Sequence, residues 1–337
     1  MDLRDAIATL FEDRLDRALA GSIFGTAEPR LIASRVEAFV REHLDARVVA
    51  CPLFTQSVGA VVGLELDDGR RVALKAHAIG DGSMRGFRSI DELDAVYRAQ
   101  DALAAHLPCA PVIVPPRAWK GGAAAVMTWL DAPRGDDPHD RPCARALARF
   151  MARAAALATA IDPAITAALP RARLPAGSLF PQPHNVLFDL DDQAPAWIVG
   201  RASAVRGLLD AEPAREIVMH TDVSAANVRV SDGEVVASFD LDSLAWIDEM
   251  RCLGSAAVHF SYRGDPPWTW PSRDEARAFV ADYVVARGRP LDDLERARLD
   301  AAAIHAMAYT AACEADLGGA DWMQSALRAA PDRYLGE

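Results

Sequence analysis

Cysteine is scarce in this chain and has no pattern. Five occur in 337 residues, Cys51, Cys109, Cys143, Cys252 and Cys313. The count is odd, the spacing is scattered and no CxxC pair is present, which excludes a disulfide framework and a cysteine zinc site. Buried, reduced thiols in a cytoplasmic protein are the expectation. Long apolar runs are missing too. No uncharged stretch approaches the ~20 residues of a membrane span, and the alanine-rich run from Ala144 to Ile161 is broken by Arg145, Arg149 and Arg153, as in a buried amphipathic helix. The N-terminus, MDLRDAIATLFEDRLDRALAG, is charged throughout and lacks the apolar core of a signal peptide. Basic charge is in deficit. Lys and Arg number 36 against 48 Asp and Glu, a net charge of −12. Such a surface repels phosphate backbones and argues against nucleic acid as a partner. It suits a cationic small molecule, and it equally suits plain solubility. There is no internal repeat and no low-complexity tract.

What is present is a globular composition, 51% hydrophobic and 25% charged, on a chain long enough for two lobes at roughly 100–200 residues each. Helical periodicity fills the first 50 residues: Leu3, Ile7, Leu10 and Phe11 share one face, and Ile32, Val36, Phe39 and Val40 another. From Val48 the chain turns β-branched and short-period. VVACPLF, AVVGLEL and RVALKAH read as strands, with the Asp-Gly of LDDGRR as a turn. Residues 90–107 return to a helix, and PVIVPPRAWKGGAAAVMTWL supplies two further strands around Gly-Gly. This order predicts a small antiparallel-sheet lobe over 1–130, preceded by N-terminal helices that pack on their own lobe or on a partner chain. The Pro-, Asp- and Gly-dense segment 131–142 reads as a linker. Residues 143–337 read as a mostly helical lobe, with helices near 143–162, 202–214, 274–287 and 291–317. One hairpin interrupts them, NVRVSDG with EVVASFD. The proline-rich stretch 163–200 shows little periodicity and reads as surface wrapping that carries specificity.

The chemistry concentrates in HTDVSAANVRVSDGEVVASFDLD, residues 220–242. An apolar run leads into His220, a loop carries Asp222 and Asn227, and the hairpin returns Asp240 to the same neighbourhood. Phosphoryl transfer requires hard oxygen donors for Mg²⁺, a carboxylate and an amide carbonyl, which Asp240 and Asn227 supply. It also requires a carboxylate to orient the attacking hydroxyl and take its proton, which Asp222 supplies. His220 belongs to this catalytic loop as its brace, with ring hydrogen bonds to nearby backbone.

The segment resembles the HxDxxxxN catalytic loop and following metal-binding Asp of the aminoglycoside phosphotransferase and choline kinase group, relatives of the protein kinases. The resemblance implies a bilobal α+β protein-kinase-like fold, ATP or GTP as phosphate donor with Mg²⁺, and a hydroxyl on a small molecule as acceptor. It makes Asp222 the catalytic base, and Asn227 and Asp240 the metal ligands. It extends to Lys75 as the strand lysine of the α- and β-phosphates, and to Glu92 as that lysine's partner. VMTWL becomes the hinge, with Met127 at its entrance and the backbone of Thr128 and Leu130 toward the adenine. In FTQSVGAVVG, the covering loop, Ser57 and Gly59 meet phosphate through backbone N–H groups. The sequence departs from the pattern at Thr221, where the group has Gly, and in a covering loop with only Gly59 and Gly63.

Around this constellation the residues leave alternatives open. Asp242 is read as alternating onto the same strand face as Asp240, where it either supports the metal shell or caps a turn. Trp246, Tyr262, Trp268 and Trp270 line an acceptor pocket or pack the core; His184 and Asp189 are further pocket candidates. Glu249, Glu314 and Asp316 either hold substrate ammonium groups or lie on a solvated face. The leading function is a small-molecule phosphotransferase, on an aminoglycoside or other antibiotic, or on a metabolic alcohol such as choline or a sugar. A nucleotide-binding pseudokinase is the contrasting class. A protein kinase is disfavoured by the lack of an APE-type segment after Asp240.

Overall fold

A computed structural model describes residues 2–10, 14–80, 87–119, 121–133, 135–174, 176–181, 190–211, 215–264, 268–317 and 321–335. The chain divides into two compact units. One comprises residues up to 105 together with 110–131; the other takes in 106–109 and continues from 132 to the C-terminus.

The first unit opens with helices α1 (Leu3–Leu10), α2 (Arg14–Phe24) and α3 (Pro29–Leu44). Strands β1 (Val48–Gln56), β2 (Ala60–Leu66) and β3 (Arg71–Ala78), helix α4 (Ile90–Ala104), and strands β4 (Val112–Trp119) and β5 (Gly122–Thr128) follow. The five strands form one antiparallel sheet in the order β1-β2-β3-β5-β4. The prolines explain which strands are outermost. Pro52 lies in β1 and Pro115 and Pro116 in β4, the two edges, where a missing N–H costs no ladder bond. Between β2 and β3, Gly69 takes the left-handed conformation (φ 86°) that the Asp-Gly signal predicts.

Strand periodicity sorts the side chains onto two faces. Val62, Leu64, Val72, Leu74 and Val126 share a core with Ile7, Ile23, Ile32, Val36 and Phe39. The N-terminal helices therefore cover their own sheet rather than a partner. Ala73, Ala123, Ala125 and Met127 pack on the other side against Leu93 and Tyr97 of α4. Lys75 belongs to this second face by alternation, and its register neighbours are Val61 and Ala125.

The second unit contains α5 (Arg141–Ala158), α6 (Pro163–Ala167), α7 (Leu190–Gln193), α8 (Ala196–Asp210), β6 (Glu216–His220), β7 (Val228–Ser231), β8 (Glu234–Ser238), β9 (Leu244–Asp248), α9 (Glu249–His259), α10 (Arg273–Arg287), α11 (Asp293–Leu317) and α12 (Trp322–Ala329). The predicted hairpin is β7–β8, turned by Asp232 (φ 53°) and Gly233 (φ 74°). Two positive φ angles in a two-residue loop match the twist of the strands they join. A second pair went unpredicted: β6 and β9 are antiparallel, with His220 opposite Leu244. They are too far apart in sequence to leave a turn signal. Helix α9 also went unpredicted. It follows β9 without a loop, its N-terminus capped by the Asp248 side chain on the Met250 N–H at 2.9 Å. Helices α6, α7 and α12 are further omissions.

Helices α9 and α11 meet at Gly254. A Cβ built there would lie 2.7 Å from the Ala302 Cβ and 2.9 Å from the Leu299 carbonyl oxygen. Gly254→Ala must push the helices apart, and is expected to cost about 1–3 kcal/mol. Urea unfolding measures this; an unchanged midpoint would show that the approach is not tight.

Candidate active site

Four short pieces of the second unit converge on the imidazole of His220, the last residue of β6. Its Nε2 lies 3.1 Å from the Phe239 carbonyl oxygen. A carbonyl only accepts, so Nε2 carries the proton. Nδ1 is then an acceptor, and takes the Asp222 N–H at 3.3 Å and the Ser243 hydroxyl at 2.7 Å. Burial pushes the His220 pKa down, against the opposing pull of Asp222, Asp240 and Asp242. A neutral ring with one fixed tautomer thus ties the start of the loop to the end of the hairpin. The residue that stands where the resembling group has Gly adds to the seam: the Thr221 hydroxyl donates to the Ser243 carbonyl at 2.9 Å.

Asp222 follows. The Asn227 amide nitrogen donates to its carbonyl at 3.0 Å and to its Oδ2 at 2.8 Å. Both amide protons are thereby spent, which assigns the amide orientation and leaves Asn227 Oδ1 with no hydrogen bond among the described residues. The carboxyl of Asp222 has a raised pKa. Burial is the main cause; Asp240 and Asp242 add to it, while His220 and the Asn227 hydrogen bond oppose it. The loop between is pinned by the end of α9, because Ala225 and Ala226 donate their N–H groups to the carbonyls of Phe260 (2.8 Å) and Tyr262 (2.7 Å).

Asp240 is one of three non-glycine residues with positive φ (55°, ψ 35°) among the described residues. Aspartate tolerates this region better than most residues. The conformation is held on both sides. The Phe239 N–H donates to the Asn227 carbonyl at 2.7 Å, and the Ser243 N–H to the Asp240 carbonyl at 3.1 Å. Leu241–Ser243 then form a single 3₁₀ turn. This corrects the expectation for Asp242: it sits in that turn, not on a strand face shared with Asp240. Two hydroxyls at the loop, those of Ser224 and Ser238, are buried without a partner among the described residues.

The donor set fits a hard divalent cation. An amide oxygen without a hydrogen bond among the described residues and a carboxylate, Asn227 and Asp240, suit Mg²⁺, which is normally held by one or two protein groups plus phosphate oxygens. No group of three or more His, Cys, Asp or Glu side chains suited to a metal exists among the described residues, and a site of this kind needs none.

In the first unit, Lys75 is buried on β3. Glu92, in the first turn of α4, does not pair with it. Its carboxylate accepts the Arg88 N–H at 2.8 Å while the Ser89 hydroxyl caps the Glu92 N–H. Helix-end chemistry has claimed this acid, which corrects the expected ion pair. In the β1–β2 turn the Ser57 N–H is spent on the Gly59 carbonyl (2.9 Å), so it is not available to phosphate as expected. Gly59 is required for a different reason: a Cβ there would sit 2.8 Å from the Ala76 carbonyl oxygen. In the hinge segment Met127 is buried and Thr128 gives its N–H to the Pro111 carbonyl (3.1 Å). Leu130 is the position whose backbone N–H and carbonyl enter no hydrogen bond among the described residues. Gly63 lies under Trp129, whose ring would be 2.2 Å from an added Cβ.

The remaining candidates divide. Glu249 is fully buried and pairs with Arg287 and Arg215, so neither a solvated face nor a substrate role describes it. Glu314 caps α12 through the N–H groups of Met323 and Gln324 and accepts from Trp270. Asp316 is exposed, as the solvated-face alternative has it. Trp246 donates to the Thr166 carbonyl and lies under Arg171, a packing role. Tyr262 stacks on Trp270 at 5.7 Å, and Trp268 is exposed. His184 and Asp189 lie outside the described residues. Ser243 and Phe239 escaped notice, the second because its contribution is a backbone carbonyl.

No family model and no curated protein sequence matches the chain. Solved structures do. An amicoumacin kinase in complex with AMP-PNP, Ca²⁺ and Ami aligns with a TM-score of 0.57 at 13% identity, over 96% of this chain and 93% of that one. A macrolide 2′-phosphotransferase from Brachybacterium faecium gives 0.52 at 17%, over 88% and 97%. Choline kinase from Cryptosporidium parvum gives 0.51 at 11%, over 89% and 93%. The chain therefore has the bilobal α+β fold shared by these kinases and phosphotransferases.

Helix α9 ends in another, half-buried imidazole. His259 donates from Nδ1 to the Ser255 carbonyl and accepts the Thr310 hydroxyl at Nε2, and burial holds its pKa down to about 4. An unfolded histidine titrates near 6.5. The unfolded chain thus binds the proton that the fold excludes, so this stabilisation is complete above pH ~6.5 and is lost as pH falls toward 4. The loss is about 3 kcal/mol. Urea unfolding of the parent and of His259→Gln across pH 4–7 should show a shallower pH slope in the variant; equal slopes would refute the assignment.

Proposed function

We propose that the chain is a small-molecule phosphotransferase that moves the γ-phosphate of ATP or GTP to a hydroxyl group. One observation carries the reading: Asn227 spends both amide protons on Asp222, which orients the carboxylate and leaves its own oxygen, without a hydrogen bond among the described residues, as a donor. Base and metal ligand are thereby set by a single side chain, beside an Asp240 held in a constrained backbone conformation.

In this reading Asp222 is the base that orients the acceptor hydroxyl and takes its proton as the new P–O bond forms. His220 is a positioning residue that fixes the Asp222 N–H and the approach to Asp240. Asn227 and Asp240 hold Mg²⁺, which supplies charge neutralisation to the nucleotide phosphates when bound. In the first unit Lys75 serves the α- and β-phosphates. The unspent backbone groups of Leu130 serve the nucleobase edge, and Gly59 gives the phosphate chain close access to backbone. Residues 1–130 make the nucleotide lobe and 143–337 the acceptor lobe, joined by 131–142. Nucleotide and reduced thiols both favour a cytoplasmic setting. Of the acceptors, antibiotics come first, because two of the similar structures are an amicoumacin kinase and a macrolide 2′-phosphotransferase; choline-like alcohols follow.

A phosphotransfer screen with Mg-ATP and Mg-GTP over aminoglycosides, macrolides, choline-like alcohols and sugars tests the function. With the best acceptor, Asp222→Asn is expected to lower kcat by about 10²–10⁴-fold while nucleotide Kd changes little. Full activity in that variant would remove Asp222 as the base. Nucleotide binding without turnover on any acceptor would favour the pseudokinase.

A further inference from the structure

The deep arginines of the second unit follow a rule. Arg298 gives Nε and Nη2 to Asp248 and Nη1 to the Leu208 carbonyl. Arg287 bridges Glu249 and Glu295 at 2.8 and 3.0 Å. Arg206 pairs with Asp210 at 2.7 Å and donates to the carbonyls of Ser178 and Leu179. Each has a carboxylate, as a desolvated cation requires.

Arg251, on α9, breaks the rule. Among the described residues its one hydrogen bond runs from Nη1 to the Ala172 carbonyl at 2.8 Å, and it forms no ion pair there. Burial depresses its pKa and the charge of Arg206 acts in the same direction, while Cys252, Asp248 and Asp210 oppose the shift without touching the guanidinium. A third nitrogen base shares the neighbourhood. His305 donates from Nε2 to the same Leu179 carbonyl that Arg206 uses, at 2.9 Å, and both Arg251 and Arg206 oppose its protonation. Asp210, the nearby acid, is already engaged by Arg206. The guanidinium of Arg251 thus keeps Nε and Nη2 without an acceptor among the described residues while remaining partly open to solvent. A planar fork of this kind is complementary to two oxygens of one oxyanion.

We propose that Arg251, with Arg206 beside it, is a binding site for an oxyanion group, a carboxylate or phosphate carried by a small molecule. The site is distinct from Asp222, Asn227 and Asp240. It shares a helix with their support, because the next residue, Cys252, directs its thiol to the His220 carbonyl at 3.5 Å. The assignment rests on the lack of a direct carboxylate partner for Arg251 among the described residues and stands whether or not the chain transfers phosphate.

Thermal unfolding of the full chain, with Mg²⁺ and AMP-PNP present to occupy any nucleotide phosphate site, tests it. Sulfate, inorganic phosphate and acetate are titrated separately at an ionic strength held constant with sodium chloride. A saturable rise in Tm is expected, and the comparison of acetate with the tetrahedral anions separates carboxylate from phosphate recognition. Arg251→Gln should lose the rise and, without added anion, unfold at the same or a higher temperature than the parent, because an uncompensated charge has been removed. Arg251→Lys keeps the charge without the fork and should respond more weakly. No saturable rise with any of the three anions, or an equal rise in Arg251→Gln, overturns the proposal. If Arg251→Gln does not fold, an undiminished response in Arg251→Lys overturns it instead.

Discussion

The second unit is organised around one neutral imidazole. His220 must stay unprotonated, because Nδ1 accepts from the Asp222 N–H and from Ser243 while Nε2 donates to the Phe239 carbonyl. A protonated ring would lose both acceptor contacts in a site where burial already penalises charge. The geometry of Asp222, Asn227 and Asp240 follows from this ring. It sets where the loop leaves β6 and where the hairpin must return. The left-handed Asp240 costs on the order of 1 kcal/mol, and it persists because the hydrogen bonds at Phe239 and Ser243 determine it from both sides.

Behind the ring stands a charge network that would be expensive to break. Asp248 caps α9 and takes Arg298; Glu249, the next residue, takes Arg287, which also reaches Glu295. Tyr283 adds its hydroxyl to Glu249. These pairs need not add net stability over apolar packing, but removing one partner leaves a buried charge uncompensated. Their effect is positional. They fix the start of α9 directly after β9, so that its far end can hold Ala225 and Ala226 of the loop between Asp222 and Asn227. Gly254 then lets α9 sit tight against α11.

How much of this was legible follows the range of the interactions. The β7–β8 hairpin was readable because Asp232-Gly233 encodes its own turn, and Lys75 fell on a readable strand. The pairing of β6 with β9 was not, because twenty-three residues separate their facing ends and the signal lies in tertiary contact alone. Glu92 misled for a related reason. An acid three residues after Ser89 reads equally as a helix cap and as a lysine partner, and the local bond won. Ser57 failed because the backbone N–H assigned to phosphate was consumed by the turn itself. For Asp242 strand alternation did not hold, because these residues turn into a 3₁₀ helix, and of its two alternatives the turn role is the one it takes. Glu249 shows the limit of charge patterning: nothing near it in sequence announces Arg287, thirty-eight residues away.

That asymmetry also separates the two halves of the proposed chemistry. The phosphate half is compact in sequence, since Asp222, Asn227 and Asp240 are placed by one loop and one hairpin. Any site that reads a ligand beyond the phosphate must be assembled from distant elements. The cluster of Arg206, Arg251 and His305 is of this second kind, drawn from α8, α9 and α11 and gathered by the carbonyls of Ala172 and Leu179. The two places are joined through α9, where Cys252, next to Arg251, directs its thiol to the His220 carbonyl.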